Sequence, residues 1–201
     1  MAHSYTEHLN KGIAYAQKKF KDFSAHYFDP GGLSRLNWQN SNGSREYQII
    51  FIMDMRDGVL TIHGDLGYAI YRFPENTTLE DIAQIGVFEY FESKFVFGSE
   101  RFEFDEEYAE CQLKEYLYYN QKSEKGKIIL NRVIHRFIES CGDDGFANNG
   151  NSDINNEIEQ IDCDYEEWAY SVGMLPHIRH ILYWQAIRSW RGMWESIRFE
   201  R

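Results

Sequence analysis

Asp57-Gly58-Val59-Leu60-Thr61-Ile62-His63-Gly64-Asp65-Leu66-Gly67-Tyr68-Ala69-Ile70-Tyr71-Arg72-Phe73 decides the reading of the fold. Asp-Gly is a hairpin signal, because both central positions of the tight turn tolerate positive φ. In the strand that follows, Leu60 and Ile62 point one way while Val59, Thr61 and His63 point the other. Gly64-Asp65-Leu66-Gly67 turns the chain again, and Tyr68 to Phe73 returns it until Pro74 ends the pairing. Upstream, Gln48 to Asp54 is almost continuously apolar, as expected of a strand buried on both faces. The expectation is a three-stranded antiparallel meander.

Outward from the meander the periodicity turns helical. Leu9, Ile13, Ala16, Phe20, Phe23 and Tyr27 recur at spacings of four and three, which predicts an amphipathic helix over residues 6–28 with Thr6 as its cap. Residues 31–45, rich in Gly, Ser and Asn, read as a loop. Beyond the meander, Thr77 and Thr78 open a helical segment, Asp105 caps a helix to about Asn120, and Lys125–Glu139 predicts another. Residues 140–163, poor in apolar side chains, read as a long loop or flexible acidic insertion. Pro176 suits the first turn of a final helix. The sequence therefore predicts an α+β fold in one domain over residues 1–201: N-terminal helix, meander, then a mostly helical C-terminal part.

Composition narrows the function classes. Of the 201 residues 43% are apolar, enough for a core, yet no run reaches the 18 or so residues of a membrane span. The N-terminus has no secretory pattern, and Cys111, Cys141 and Cys163 show neither disulfide nor metal-ligand spacing. They read as reduced thiols of a cytoplasmic protein. There is no P-loop, dinucleotide fingerprint, nucleophile elbow, His-Glu-x-x-His or EF-hand loop, which disfavours a familiar metabolic enzyme.

The net charge of −11 is unevenly spread. Residues 139–178 hold ten acids and no Lys or Arg, whereas Lys11, Lys18, Lys19 and Lys21 share a stretch without acids. In the final helix Arg188, Arg191 and Arg198 lie beside indole rings at helical spacing, a combination suited to phosphate contact and base stacking. These seven cations are the candidate nucleic-acid contacts. Asp162, Asp164, Glu166 and Glu167 are the candidate partner-binding acids, since spaced carboxylates can occupy the cationic groove of a nucleic-acid enzyme. Each run has a plain counterpart as a solvated face, and Trp190 and Trp194 as core. His63, with Asp65 two residues on to orient it, is the candidate acid/base pair for metal-free RNA cleavage, against the reading that Asp65 only stabilises its turn. No cofactor is expected, with Mg²⁺ the possible exception if the chain is a nuclease.

The signature Gly-Asp-Leu-Gly-x-Ala-Ile/Val-Tyr, Gly64 to Tyr71, resembles one carried by phage- and plasmid-borne proteins, some of which are type II anti-CRISPR inhibitors. The passage from Tyr90-Phe91 to Phe104-Asp105-Glu106, and the helix entered through His177-Ile178-Arg179-His180, match the same group in the same order. The resemblance implies an inhibitor that engages a type II effector and its guide RNA in the bacterial host cell, with promotion of guide truncation as one mode. It supplies no catalytic residues. A non-enzymatic acidic mimic of nucleic acid, or a phage structural or regulatory protein, is the alternative.

Overall fold

A computed structural model describes residues 4–118, 124–141, 152–159 and 164–199. The chain divides into two compact units, Leu9–Arg101 with His177–Arg201, and Phe102–Pro176 with Met1–His8.

The larger unit is built on one antiparallel sheet of six strands in sequence order. These are β1 (Phe23–Phe28), β2 (Leu33–Asn40), β3 (Ile49–Asp54), β4 (Val59–Gly64), β5 (Gly67–Arg72) and β6 (Phe95–Gly98). The three-stranded meander is thus corrected to six strands, although the overall class remains α+β. Helix α1 (Tyr5–Lys19) stops where a helix to residue 28 was expected. Phe20, Phe23 and Tyr27 satisfy a helical period by coincidence. Phe23 instead pairs with Asn40 and packs its buried ring on Phe20 and Trp38, at centroid distances of 5.1 and 5.9 Å. The expected loop over residues 31–45 holds β2, whose Ser34, Leu36 and Trp38 alternate inward with 0% exposure. Burial of this kind outweighs the weak strand propensity of Ser and Asn. At the other edge Phe95 and Phe97 join β5 through a bulge between Ile70 and Tyr71.

Among the described residues, only one face of the sheet is fully covered. Ile49, Phe51 and Met53 are buried while Ile50 and Ile52 are half-buried, so β3 is not sealed on both sides as its apolar run suggested. The covered face receives α7 (Ile178–Phe199), of which residues 180–187 are all buried. Helix α1 lies against α7 where Gly12 has no side chain; a Cβ there would come within 2.7 Å of Ile181 Cδ1. Two short helices, α2 (Leu79–Ala83) and α3 (Phe88–Glu92), complete this layer. Thr78 and Asp81 cap α2 reciprocally, and Trp184 Nε1 donates to the Ile85 carbonyl at 2.9 Å. Trp190 is 2% exposed and packs against Tyr27, so it is core rather than a stacking platform.

The smaller unit pairs β7 (Phe102–Phe104) with β8 (Met174–Pro176) beside α4 (Glu106–Tyr118), α5 (Glu124–Ser140) and α6 (Ser152–Glu159). Asp105 caps α4 by accepting the Tyr108 N–H at 2.7 Å. Leu113, Val133, Phe137, Ile158 and Val172 form its core. Helix α6 falls inside the segment read as a flexible insertion, because Ile158 supplies it with a buried anchor. Pro176 ends β8 rather than opening the last helix, which begins two residues later.

In the larger unit, α7 is fastened to the sheet by a buried polar relay. The imidazole of His180 donates from Nε2 to the Glu100 carbonyl at 3.1 Å, which leaves Nδ1 to accept the Tyr71 hydroxyl at 2.5 Å. Burial lowers the pKa of His180 to about 4, so the ring is neutral when folded. The unfolded ring titrates near its ordinary 6.5. The stabilisation is therefore complete above pH 6.5 and is lost as the pH falls toward 4, by up to about 3 kcal/mol. Urea unfolding at pH 7.0 and 5.0 is expected to give a midpoint drop in the wild type that shrinks in His180→Gln. Equal drops in both proteins would exclude this group as the source.

Candidate functional site

Two concave sites flank α1, both within the larger unit. On one side Ile13 and Gln17 of α1 face Gln185, Arg188, Ser189 and Arg191 of α7 across a groove of about 540 Å³. The helical period puts residues 13 and 17 on one flank of α1 and residues 15 and 19 on the other. Lys18 follows Gln17 directly and Lys21 lies just past the helix end, and both are exposed. The Arg188 guanidinium sits 4.5 Å over the Trp184 ring, which holds its planar fork in place. Such a surface offers anchored charge and amide donors to a phosphate chain.

On the other flank, a pocket of about 520 Å³ opens between Tyr15, the Asp65-Leu66-Gly67 turn and the first residues of α7. The His63–Tyr68 and Gly64–Gly67 pairs set a two-residue turn at its edge. Gly64 must lack a side chain, since a Cβ would come within 2.1 Å of the Gln48 carbonyl. Gly67 has φ +101°, and a Cβ would come within 2.5 Å of Ser99 Oγ and 3.3 Å of Arg179 Nη1. Arg179 is 18% exposed and reaches the Glu100 carboxylate at 2.7 Å. Glu100 is held below the ordinary carboxylate range by a backbone hydrogen bond and by Arg179.

The sequence-predicted residues separate onto several surfaces. Arg188 and Arg191 share the groove with Gln17, and Lys18 and Lys21 are exposed on and just past α1 without lining it. Lys11 is exposed on α1, and Lys19 turns to the opposite flank, where its ammonium lies 4.5 Å over the Tyr47 ring and 3.8 Å from Glu46. Arg198 belongs to α7, with its side chain outside the described residues. His63 is exposed on the uncovered face of the sheet, opposite Ile50 and Tyr68. Asp65 accepts the Tyr47 N–H at 2.9 Å and lines the pocket, so this hydrogen bond ties it to the segment before β3. Asp164 and Glu167 are exposed around the 3-10 turn Tyr165–Glu167, the Glu166 side chain is not described, and Asp162 lies outside the described residues.

Tyr15, Tyr47 and Ser99 were missed by sequence reasoning. The only local signal was the Gly-Asp-Leu-Gly turn, because the backbone that aims Tyr47 at the pocket is a tertiary product. Among the described residues no group of three or more His, Cys, Asp or Glu is placed to hold a metal ion, and no helix is long and apolar enough to cross a membrane. No family model, curated protein or solved structure matches the chain.

Gly67→Ala is expected to cost about 1–3 kcal/mol, because it combines an unfavourable φ with displacement of Ser99 and Arg179. Gly43→Ala, at φ +84° with nothing within 4 Å, is the control for backbone strain alone. Chemical denaturation compares them, and equal losses would mean that the close approach at Gly67 contributes nothing.

Proposed function

We propose that the protein binds RNA through the α1–α7 groove and acts as a mobile-element anti-CRISPR inhibitor that engages the guide RNA of a type II effector. The observation that carries the RNA reading is the placement of Arg188 and Arg191 with Gln17 in one groove. In a chain of net charge −11, two neighbouring arginines favour a polyanion locally against the long-range field. Planar guanidinium forks and side-chain amides suit phosphate and sugar contacts, which position RNA without reading its sequence. The inhibitory role rests on the resemblance of Gly64–Tyr71 and His177–Ile187 to the phage-borne group. His63 remains the acid/base candidate for guide truncation.

Two measurements test this. With the guide RNA, Arg188→Gln/Arg191→Gln is expected to weaken binding at least about tenfold and to reduce the salt slope by about 1.4, the contribution of two phosphate contacts. Circular dichroism serves as the fold control. Unchanged affinity and slope in the double variant would remove the groove from the account. A denaturing gel of labelled guide, incubated with a type II effector and this protein, then reads the inhibition. A shortened guide with lost DNA cleavage is expected, and it should persist in EDTA and disappear in His63→Ala if the chemistry is metal-free. An intact guide with lost cleavage would move the inhibition to occlusion. Full cleavage would end the anti-CRISPR reading for that effector.

A further inference from the structure

The pocket beside the Gly64–Gly67 turn is separate from the groove and has a chemistry of its own. Its most unusual feature is Tyr47, a bulky residue with φ +59°. Left-handed backbone at a non-glycine aromatic residue is strained, and a position serving only the fold would be relieved by Gly or Asn. Here the strained backbone is held by the Tyr47 N–H to Asp65 Oδ2, and the side chain shares a 2.6 Å hydrogen bond with the Tyr15 hydroxyl. The two rings stand 6.4 Å apart at 57° and form one wall of the pocket. Lys19 lies over the Tyr47 ring, 4.5 Å from its centroid.

Opposite polar groups are fixed as firmly. His177 Nδ1 accepts the Arg179 backbone N–H at 3.2 Å, so the proton of the neutral ring is on Nε2. Arg179 donates Nε to His177 Nδ1 at 3.2 Å, pairs Nη1 with Glu100, and holds Nη2 3.3 Å from His177 Nε2. The guanidinium so positioned lines a cavity that Gly67 keeps open. Asp65, Ser99 and Glu100 stand around it as acceptors for hydroxyl or amino groups, and Leu66 and Leu182 give it an apolar lining.

A ligand that uses all of this is planar and unsaturated against the phenol rings, rich in donors toward the carboxylates, and anionic toward Arg179. About 520 Å³ is a small-molecule volume. We propose that this pocket is a mononucleotide site, with the base laid against Tyr15 and Tyr47 and the phosphate on Arg179. It does not depend on the groove binding RNA.

Isothermal titration of the full chain with AMP, GMP, CMP and UMP, and separately with inorganic phosphate and the four nucleosides, tests it. At least one nucleotide is expected to bind in the micromolar to millimolar range, more tightly than phosphate or its own nucleoside. Arg179→Gln is expected to weaken that nucleotide on the order of tenfold and to leave the nucleoside unchanged. Tyr47→Asn should abolish binding with an unchanged or raised melting temperature, because Asn accepts the left-handed backbone. Arg188→Gln/Arg191→Gln should bind the nucleotide as the wild type does, even if that variant no longer binds RNA. No binding by any nucleotide up to about 10 mM would overturn the proposal. So would phosphate matching the nucleotides, full binding by Arg179→Gln and Tyr47→Asn, or loss of nucleotide binding in the groove variant.

Discussion

The one buried imidazole of helix α7, fully hydrogen-bonded, fastens it to the six-stranded sheet. A neutral ring at His180 takes the Tyr71 hydroxyl on one nitrogen and gives the other to the Glu100 carbonyl. Either contact alone would leave a buried polar atom unpaired, at a cost of about 1–3 kcal/mol. Together they tie the end of β5, the loop after β6 and the first turn of α7. Desolvation also raises the Tyr71 hydroxyl well above its ordinary range, so it stays a donor. Tyr183 adds a third tie, its hydroxyl donating to the Leu66 carbonyl in the β4–β5 turn.

Both candidate sites follow from that attachment. The start of α7 brings Arg179, and His177 just before it, to the rim of the Gly64–Gly67 turn, and the same helix about two and a half to three turns on carries Arg188 and Arg191 along α1. Gly12 lets α1 approach α7 closely enough for its two flanks to border different cavities. One face of one helix therefore separates an aromatic pocket from a cationic groove.

The fold was legible wherever local chemistry and tertiary burial agree. Asp57-Gly58, the alternation of Leu60 and Ile62, and the Gly64–Gly67 turn specify the central hairpins without help from the rest of the chain. The outer strands were not legible. Phe23 and Tyr27 fit a helical period as well as a strand, and the inward pair Leu36 and Trp38 is set among polar residues. Only the completed sheet shows which alternative buries them. Of the groove, the arginine stripe could be read from helical spacing, but the side of α1 that it meets could not. Of the pocket, the glycine turn and the His177–Arg179 segment were visible, whereas the Tyr15–Tyr47 pair joins residues 32 apart through a strained backbone.

The central claim is that RNA lies along α1 and α7 rather than against the acidic surface. Photo-crosslinking of 4-thiouridine-substituted guide RNA, followed by mass spectrometry of the adducted peptides, tests it most directly. The account predicts adducts on peptides from residues 9–21 and 178–193. Adducts confined to residues 152–176, or to the uncovered sheet face around His63 and Tyr68, would contradict it.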